Sequence, residues 1–248
     1  MAPDRVSRDR AADLSKYAHY GRRSGRKIRG GRQKLLETLL PELRVPVPAA
    51  GRLDSDKLVE VNGSGSELWL EIGFGQGEHL ATQAVDNPTV LLIGCEPYVN
   101  GVSTLLRTIE THEIDNIRIH DDDARILLDA LPDASVDRLF LLFPDPWPKK
   151  RHHKRRFISM ANLDLVCRVL KDDAELCFAT DHLGYARWAL WHAIHHEAIE
   201  WPAESPADWM DRPVDWTITR YEKKALTDGQ SCAYFSFRRR RRVDASGI

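Results

Sequence analysis

Acids and glycines at the ends of apolar runs are the groups in this 248-residue chain best suited to hold a ligand. Glu71 opens the segment Glu71-Ile-Gly73-Phe-Gly75-Gln-Gly77, directly after an apolar run. Closely spaced glycines let backbone approach a ligand and take turns closed to other residues. The dinucleotide fingerprint spaces its glycines GxGxxG, and here the third glycine comes one residue early. A carboxylate beside the turn is a poor neighbour for pyrophosphate and a good one for an ammonium group. Glu96 follows the second apolar run, where an acid can accept from both hydroxyls of a ribose. Asp123 follows the third and can accept from an adenine amino group; Asp121 and Asp122 compete for that part, as does a plain solvated loop. Asp145 follows the fourth, held between Pro144 and Pro146. The set suits a ligand with an amino group, a ribose and an adenine but no phosphate. S-adenosylmethionine has that chemistry. The alternative is a structural glycine turn that binds nothing.

A second group of residues suits nucleic acid. Trp147 offers a flat face for a base, or packs in the core. Residues 149–156, KKRHHKRR, carry six Lys/Arg and two histidines for phosphate contacts, unless they are merely a solvated helix start. Residues 1–34 hold eleven Lys/Arg against three Asp/Glu, and residues 238–242 are five consecutive arginines, read as a tail rather than an RNA contact. Net charge is only −1, so basic character lies in segments and not in the sum. His152 and His153 are given no acid–base role.

The elements that must position these groups alternate. Apolar strands are expected at 68–73, 90–95, 117–120, 136–143 and 174–180. Helices are expected at 77–85, 99–112, 124–131, 157–170 and 183–197, with a short one at 33–40 ended by Pro41. Continuous apolar strands alternating with helices make an α/β fold with a mostly parallel sheet covered on both faces. Residues 216–222 and 232–238 read as strands of a C-terminal antiparallel hairpin. The expected division is a flexible basic arm at 1–30, one domain at 31–242 and a short tail at 243–248. The four cysteines are scattered, with no CxxC pair, so neither a structural zinc nor a disulfide framework is expected. No metal is assigned. No apolar stretch approaches the roughly 20 residues needed to span a bilayer, and the basic start lacks a following apolar segment. A cytoplasmic protein with no membrane partner is expected; the sequence leaves the oligomeric state open, a monomer being favoured.

The glycine turn and strand-end acids, in this order, look like a class I S-adenosylmethionine-dependent methyltransferase of Rossmann-like fold. The segment FPDPWPKKRHHKRR resembles bacterial tRNA (guanine-N7-)-methyltransferases, the TrmB family. LEIGFGQGEHL, ATDHLGYA, the Thr219-Arg220-Tyr221-Glu222 segment and SKYAHYGRRSGR near the start are similar to the same family. The usual Arg-Gly after the TRYE segment is replaced here by Lys223-Lys224-Ala225-Leu226, with Gly229 later. The resemblance implies cofactor contacts from Glu71, Gly73, Gly75, Glu96, Asp123 and Asp145. It implies tRNA contacts from Lys149, Asp181, Thr219, Arg220, Tyr221 and Glu222. The implied product is N7-methylguanosine in the variable loop, at position 46.

Guanine N7 has an in-plane lone pair and carries no proton, so it can attack a sulfonium methyl without a nucleophile from the protein. Asp145 is the catalytic candidate: it would position the base and offset the positive charge that moves onto the purine. Asp181 can accept from the guanine N1–H and exocyclic amine, or simply cap the helix after it. Thr219 and Glu222 either close over the base or are ordinary strand polarity. The rivals are a methyltransferase acting on another RNA, a small molecule or a protein, a non-catalytic RNA-binding module, and a dehydrogenase.

Overall fold

The structure is a computed structural model that describes residues 17, 20–48, 51–53 and 67–243. β1 (Leu68–Ile72) lies between β2 (Leu91–Cys95) and β4 (Val136–Leu142) and is parallel to both. β3 (Ile117–His120) extends the sheet beyond β2, and β5 (Leu170–Thr180) extends it beyond β4, again in parallel. β7 (Ala233–Arg239) runs antiparallel between β5 and the two-residue β6 (Ile199–Glu200). Among the described residues the order is β3-β2-β1-β4-β5-β7-β6. This is the α/β, mostly parallel arrangement that the alternating pattern predicts.

Helices cover both faces. α1 (Gly31–Thr38), α3 (Glu78–Asp86) and α4 (Val99–His112) lie on one side, where Leu80, Leu105 and Leu106 pack with Leu92. α5 (Ala124–Ala130), α6 (Met160–Val169) and α7 (Leu183–Ile194) lie on the other, where Leu127, Leu163 and Ala189 pack with Ile93 and Leu139. Adjacent residues of β2 thus serve opposite layers, as a period of two requires. The parallel strands β1 to β5 deliver their carboxyl ends to the same edge of the sheet, so Glu96, Asp123 and Asp145, which follow β2, β3 and β4, converge there.

Four expectations are corrected. Pro41 does not end a helix at Leu40; α1 stops at Thr38, and Pro41 falls in the first turn of α2 (Leu40–Leu43), where its missing N–H has no helical partner to lose. The helix expected from Phe157 begins only at Met160, because Ser159 caps it and accepts from the Asn162 N–H. Residues 216–222 do not form a strand. Residues 220–222 open α9 (Arg220–Thr227), so the antiparallel partner of β7 at the sheet edge is β6. The arginine run 238–242, read as a tail, ends β7 and folds back on the body. The Arg242 guanidinium donates to the carbonyls of Cys167, Arg168 and Leu170. The short α8 (Ala207–Met210) completes the described elements. Of the arm, residues 1–16 and 18–19 lie outside the described residues, and so does most of 49–66.

Candidate active site

A cleft of about 960 Å³ opens over the carboxyl ends of β1, β2 and β4. This is where the strand order reverses about β1, the position at which such sheets take ligands. Gly73, Gly75, Glu96, Asp123, Asp145 and Tyr221 line it. Gly73, Gly75 and Gly77 have φ of 74°, 61° and 82°, the left-handed region that favours glycine. The turn packs so closely on α4 that a methyl group on Gly101 would collide with the Gly75 carbonyl.

Glu96 is built into this turn. Its two carboxylate oxygens accept from the backbone N–H of Gly75 and of Tyr98, each at 2.9 Å. Burial raises its pKa, the two backbone bonds oppose that, and the nearby charges of Asp145 and Glu71 add to the rise. Glu71 stands apart from the other acids. Its carboxylate is buried and holds the ring of His79, Nδ1 to Oε2 at 2.9 Å, and it does not face the cleft. His79 itself carried no signal in the sequence beyond its place in the first turn of α3. The acidic triplet is divided by its partners. Asp121 pairs with Arg44, Asp122 with Arg23, and Asp123 caps α5 while binding Arg125 at 2.6 Å. Of the three, Asp122 and Asp123 reach the cleft, each already paired with an arginine.

The loop after β4 brings the second set of residues to the same cleft. Phe143 and Trp147 have φ of 50° and 44°, a conformation that is costly for any residue with a side chain. Asp145 sits between them, exposed at the cleft, and makes no hydrogen bond or ion pair among the described residues. The basic run forms a 3₁₀ turn, Lys150–Arg155, with Lys149 exposed at its start. Arg156 is not a phosphate-side group. It is buried, with Nε donating to the Pro146 carbonyl at 2.9 Å and its guanidinium stacked on Tyr185 and Trp188. The rings of His152 and His153 pack edge-on against Trp147 and Trp188.

Asp181 follows β5 and is not the cap of α7. His182 is, its Nδ1 accepting from the Tyr185 N–H at 3.0 Å. That leaves the Asp181 carboxylate with no hydrogen bond or ion pair among the described residues. Thr219 caps α9 by accepting from the Glu222 N–H at 3.2 Å. The pattern Thr-x-x-Glu is a capping box signature that the strand reading overlooked. Glu222 is buried, accepting from the Tyr234 hydroxyl at 2.7 Å and pairing with Arg212 at 3.1 Å. Of the four residues, Arg220 is exposed and Tyr221 reaches the cleft, its ring edge over Gly75.

A family model described as "Putative methyltransferase" matches residues 66–234. A tRNA (guanine-N(7)-)-methyltransferase from Rhodospirillum rubrum is 49% identical over 92% of this chain and 90% of its own length. Another from Agrobacterium fabrum is 45% identical over 90% of this chain and 95% of its own length. The chain belongs to the tRNA (guanine-N7-)-methyltransferase family. Among solved structures, the 16S rRNA methyltransferase KamB aligns with a TM-score of 0.52 at 14% identity, covering 80% of this chain and 99% of that one, a likeness of fold. The fold is that of class I methyltransferases, and fold and family imply S-adenosylmethionine as methyl donor.

The residues of this tRNA (guanine-N7-)-methyltransferase family member fit that group. The cleft presents carboxylates and bare backbone at a left-handed turn, a setting for an ammonium, a sulfonium and ribose hydroxyls rather than for phosphate. No helix among the described residues is long and apolar enough to cross a membrane.

Proposed function

We propose that the chain transfers a methyl group from S-adenosylmethionine to N7 of guanine in tRNA, in the variable loop at position 46. A tRNA substrate implies the cytoplasm as the place of action. The observation that carries the reading is one cleft lined both by the acids of a cofactor site and by residues of a strained, basic loop. When bound, S-adenosylmethionine supplies an electrophilic methyl on a sulfonium.

In this reading the glycine turn and Glu96 hold the donor, with Glu96 receiving the ribose hydroxyls. Asp123 lies toward the adenine, shared with Arg125. Glu71 acts from behind, fixing the turn through His79. Asp145, between Pro144 and Pro146, faces the acceptor. Guanine N7 needs no proton removed, so placement is the main task, and good placement can lower a barrier by roughly 7–11 kcal/mol. The Asp145 carboxylate stands where positive charge grows on the purine and stabilises it. Asp181 accepts from the N1–H and amine edge of the base. Lys149 and its neighbours meet phosphates. Tyr221 covers the turn, while Thr219 and Glu222 hold Tyr221 and Arg220 in place.

Incubation with labelled S-adenosylmethionine and unmodified tRNA tests the reading. Strand scission specific for N7-methylguanosine should fall at position 46. A label on another base, or only on a different RNA or a small molecule, would overturn it.

A further inference from the structure

Arg155 and Arg156 are adjacent and arginine alike, yet their environments are opposite. Arg156 spends its donors on the Pro146 and Gly184 carbonyls. Arg155 makes no hydrogen bond or ion pair among the described residues, and its Nε is buried without a partner. Instead its guanidinium lies between two rings, 4.8 Å from the centroid of Trp147 and 4.9 Å from that of Tyr20. A buried donor left unpaired is costly and rare. Stacking on two rings offsets part of that cost and leaves the donors in place. All three residues line the cleft that holds Asp145.

Tyr20 belongs to the N-terminal arm, and the arm is fastened. The Val99 N–H donates to the Arg23 carbonyl at 3.0 Å. Asn100 accepts from the Gly25 N–H and donates to the Arg26 carbonyl, both at 2.7 Å. Arg23 pairs with Asp122 at 2.7 Å. Tyr20 is therefore presented to Arg155 by a segment anchored on the first turn of α4, beside the cofactor turn.

We propose that Tyr20 is a positioning residue that holds the Arg155 guanidinium to donate to O6 of the target guanine. This rests on the proposed reaction. A base that turns N7 toward the methyl donor shows O6 next to it, since both lie on one edge. Adenine carries an amino group there, so a guanidinium would face donor with donor. Arg155 thereby selects guanine from the edge that carries N7 and O6, next to the N1–H and amine edge assigned to Asp181. Its positive charge opposes the charge growing on the purine, so its contribution is to binding and base choice rather than to the methyl-transfer step.

The test uses the full chain and tRNA assembled with guanine or 2-aminopurine, which lacks O6 and with it the N1–H, at the acceptor position; Asp181 is intact in every variant, so a change in the ratio reports the O6 contact. Tyr20→Ala and Arg155→Gln should each raise KM for guanine tRNA by about 10-fold or more, the worth of a charge-assisted hydrogen bond, with kcat within about 3-fold. Both should shrink the guanine to 2-aminopurine ratio of kcat/KM, and Tyr20→Phe, which keeps the ring, should restore it. A ratio left at the wild-type value in both variants, with KM raised equally for both tRNAs, would mean a merely structural arm and overturn the proposal. If Tyr20→Ala fails to fold, Arg155→Gln and Tyr20→Phe decide by the same ratio. Methylation by the wild-type chain away from guanine N7 would instead be a failure of the proposed reaction.

Discussion

At the residue scale, Asp145 in the cleft and Asp181 after β5 differ from the acids around the glycine turn in having nothing to hold. Asp121, Asp122 and Asp123 are each neutralised by an arginine, and Glu96 is bound to backbone. Asp145 and Asp181 make no such contacts, as expected of groups whose partners arrive with substrate. Asp145→Asn keeps the shape and removes the charge. The proposed role predicts a fall in kcat of about 100-fold, with the tRNA Kd within about 3-fold, measured by single-turnover kinetics beside filter binding. Asp181→Ala should leave the unfolding midpoint almost unchanged while loosening the preference for guanine over 2-aminopurine. His182→Ala should instead cost about 1 kcal/mol in stability, because it removes the helix cap. Equal stability losses in the two would contradict the division of roles. Asp145 was legible in the sequence, since a carboxylate between prolines after a core strand has few structural uses. His182 was not, because Thr, Asp and Ser are the usual caps and Thr180-Asp181 precedes it. Tyr20 and Arg155 were hidden for a different reason: the stack joins residues 135 positions apart, and no local pattern encodes it.

At the scale of elements, the parallel half of the sheet was readable because its strands are continuous apolar runs bounded by polar turns. α4 and β3 fall at the expected residues. The C-terminal segment was misread because Trp216 and Ile218 alternate with polar residues, as in a strand, while the capping signal of Thr219 and Glu222 points to a helix. In α9, tertiary contacts decide: Glu222 is buried between Tyr234 and Arg212. Glu222→Ala would remove the carboxylate acceptor of the Tyr234 hydroxyl and the partner of Arg212, and should cost about 2 kcal/mol in urea unfolding. It should also disturb Tyr221 over the cofactor turn, so the Kd for S-adenosylmethionine should rise by isothermal titration; an unchanged Kd would detach α9 from the site. The joint between β3 and α5 carries a pH signature. His120 is buried and donates from Nε2 to the Asp123 carbonyl at 3.0 Å. Burial lowers its pKa, although that bond and the three neighbouring aspartates oppose the shift. The folded state then binds fewer protons than the unfolded chain, whose histidines titrate near 6.5. Its contribution is full above about pH 6.5 and is lost as pH falls from there through the lowered folded value. His120→Gln should flatten that part of the stability profile, read from urea midpoints between pH 7.5 and 5 against the wild type.

At the scale of the molecule, the question is how a chain of net charge −1 can hold a polyanion. The basic residues are divided between the two ends of the sheet and put to different uses. At the carboxyl end, Lys149 and Lys154 stand exposed on the turn that lines the cleft, and neither makes an ion pair among the described residues. At the amino end of β5, the arginines of 238–242 are consumed internally. Arg238 and Arg240 face Glu200, Arg241 faces Asp173, and Arg242 joins Asp172 to the last carbonyls of α6. As a count of charges, the five-arginine run was the most conspicuous candidate for RNA contact; the acids that absorb it lie far away in sequence and so gave no warning. Free cations release counterions on binding a phosphate backbone, and cations already paired in the protein release few. Lys149→Ala and Lys154→Ala should therefore each reduce the slope of log K for tRNA against log salt by about 0.7 to 0.9. Arg241→Ala should leave that slope unchanged. Arg242→Ala should lower the thermal midpoint, because it uncaps α6, and still leave the slope alone. A slope reduced by Arg241→Ala as much as by Lys149→Ala would put tRNA across both ends of the sheet and would undo the assignment of its path to the cleft.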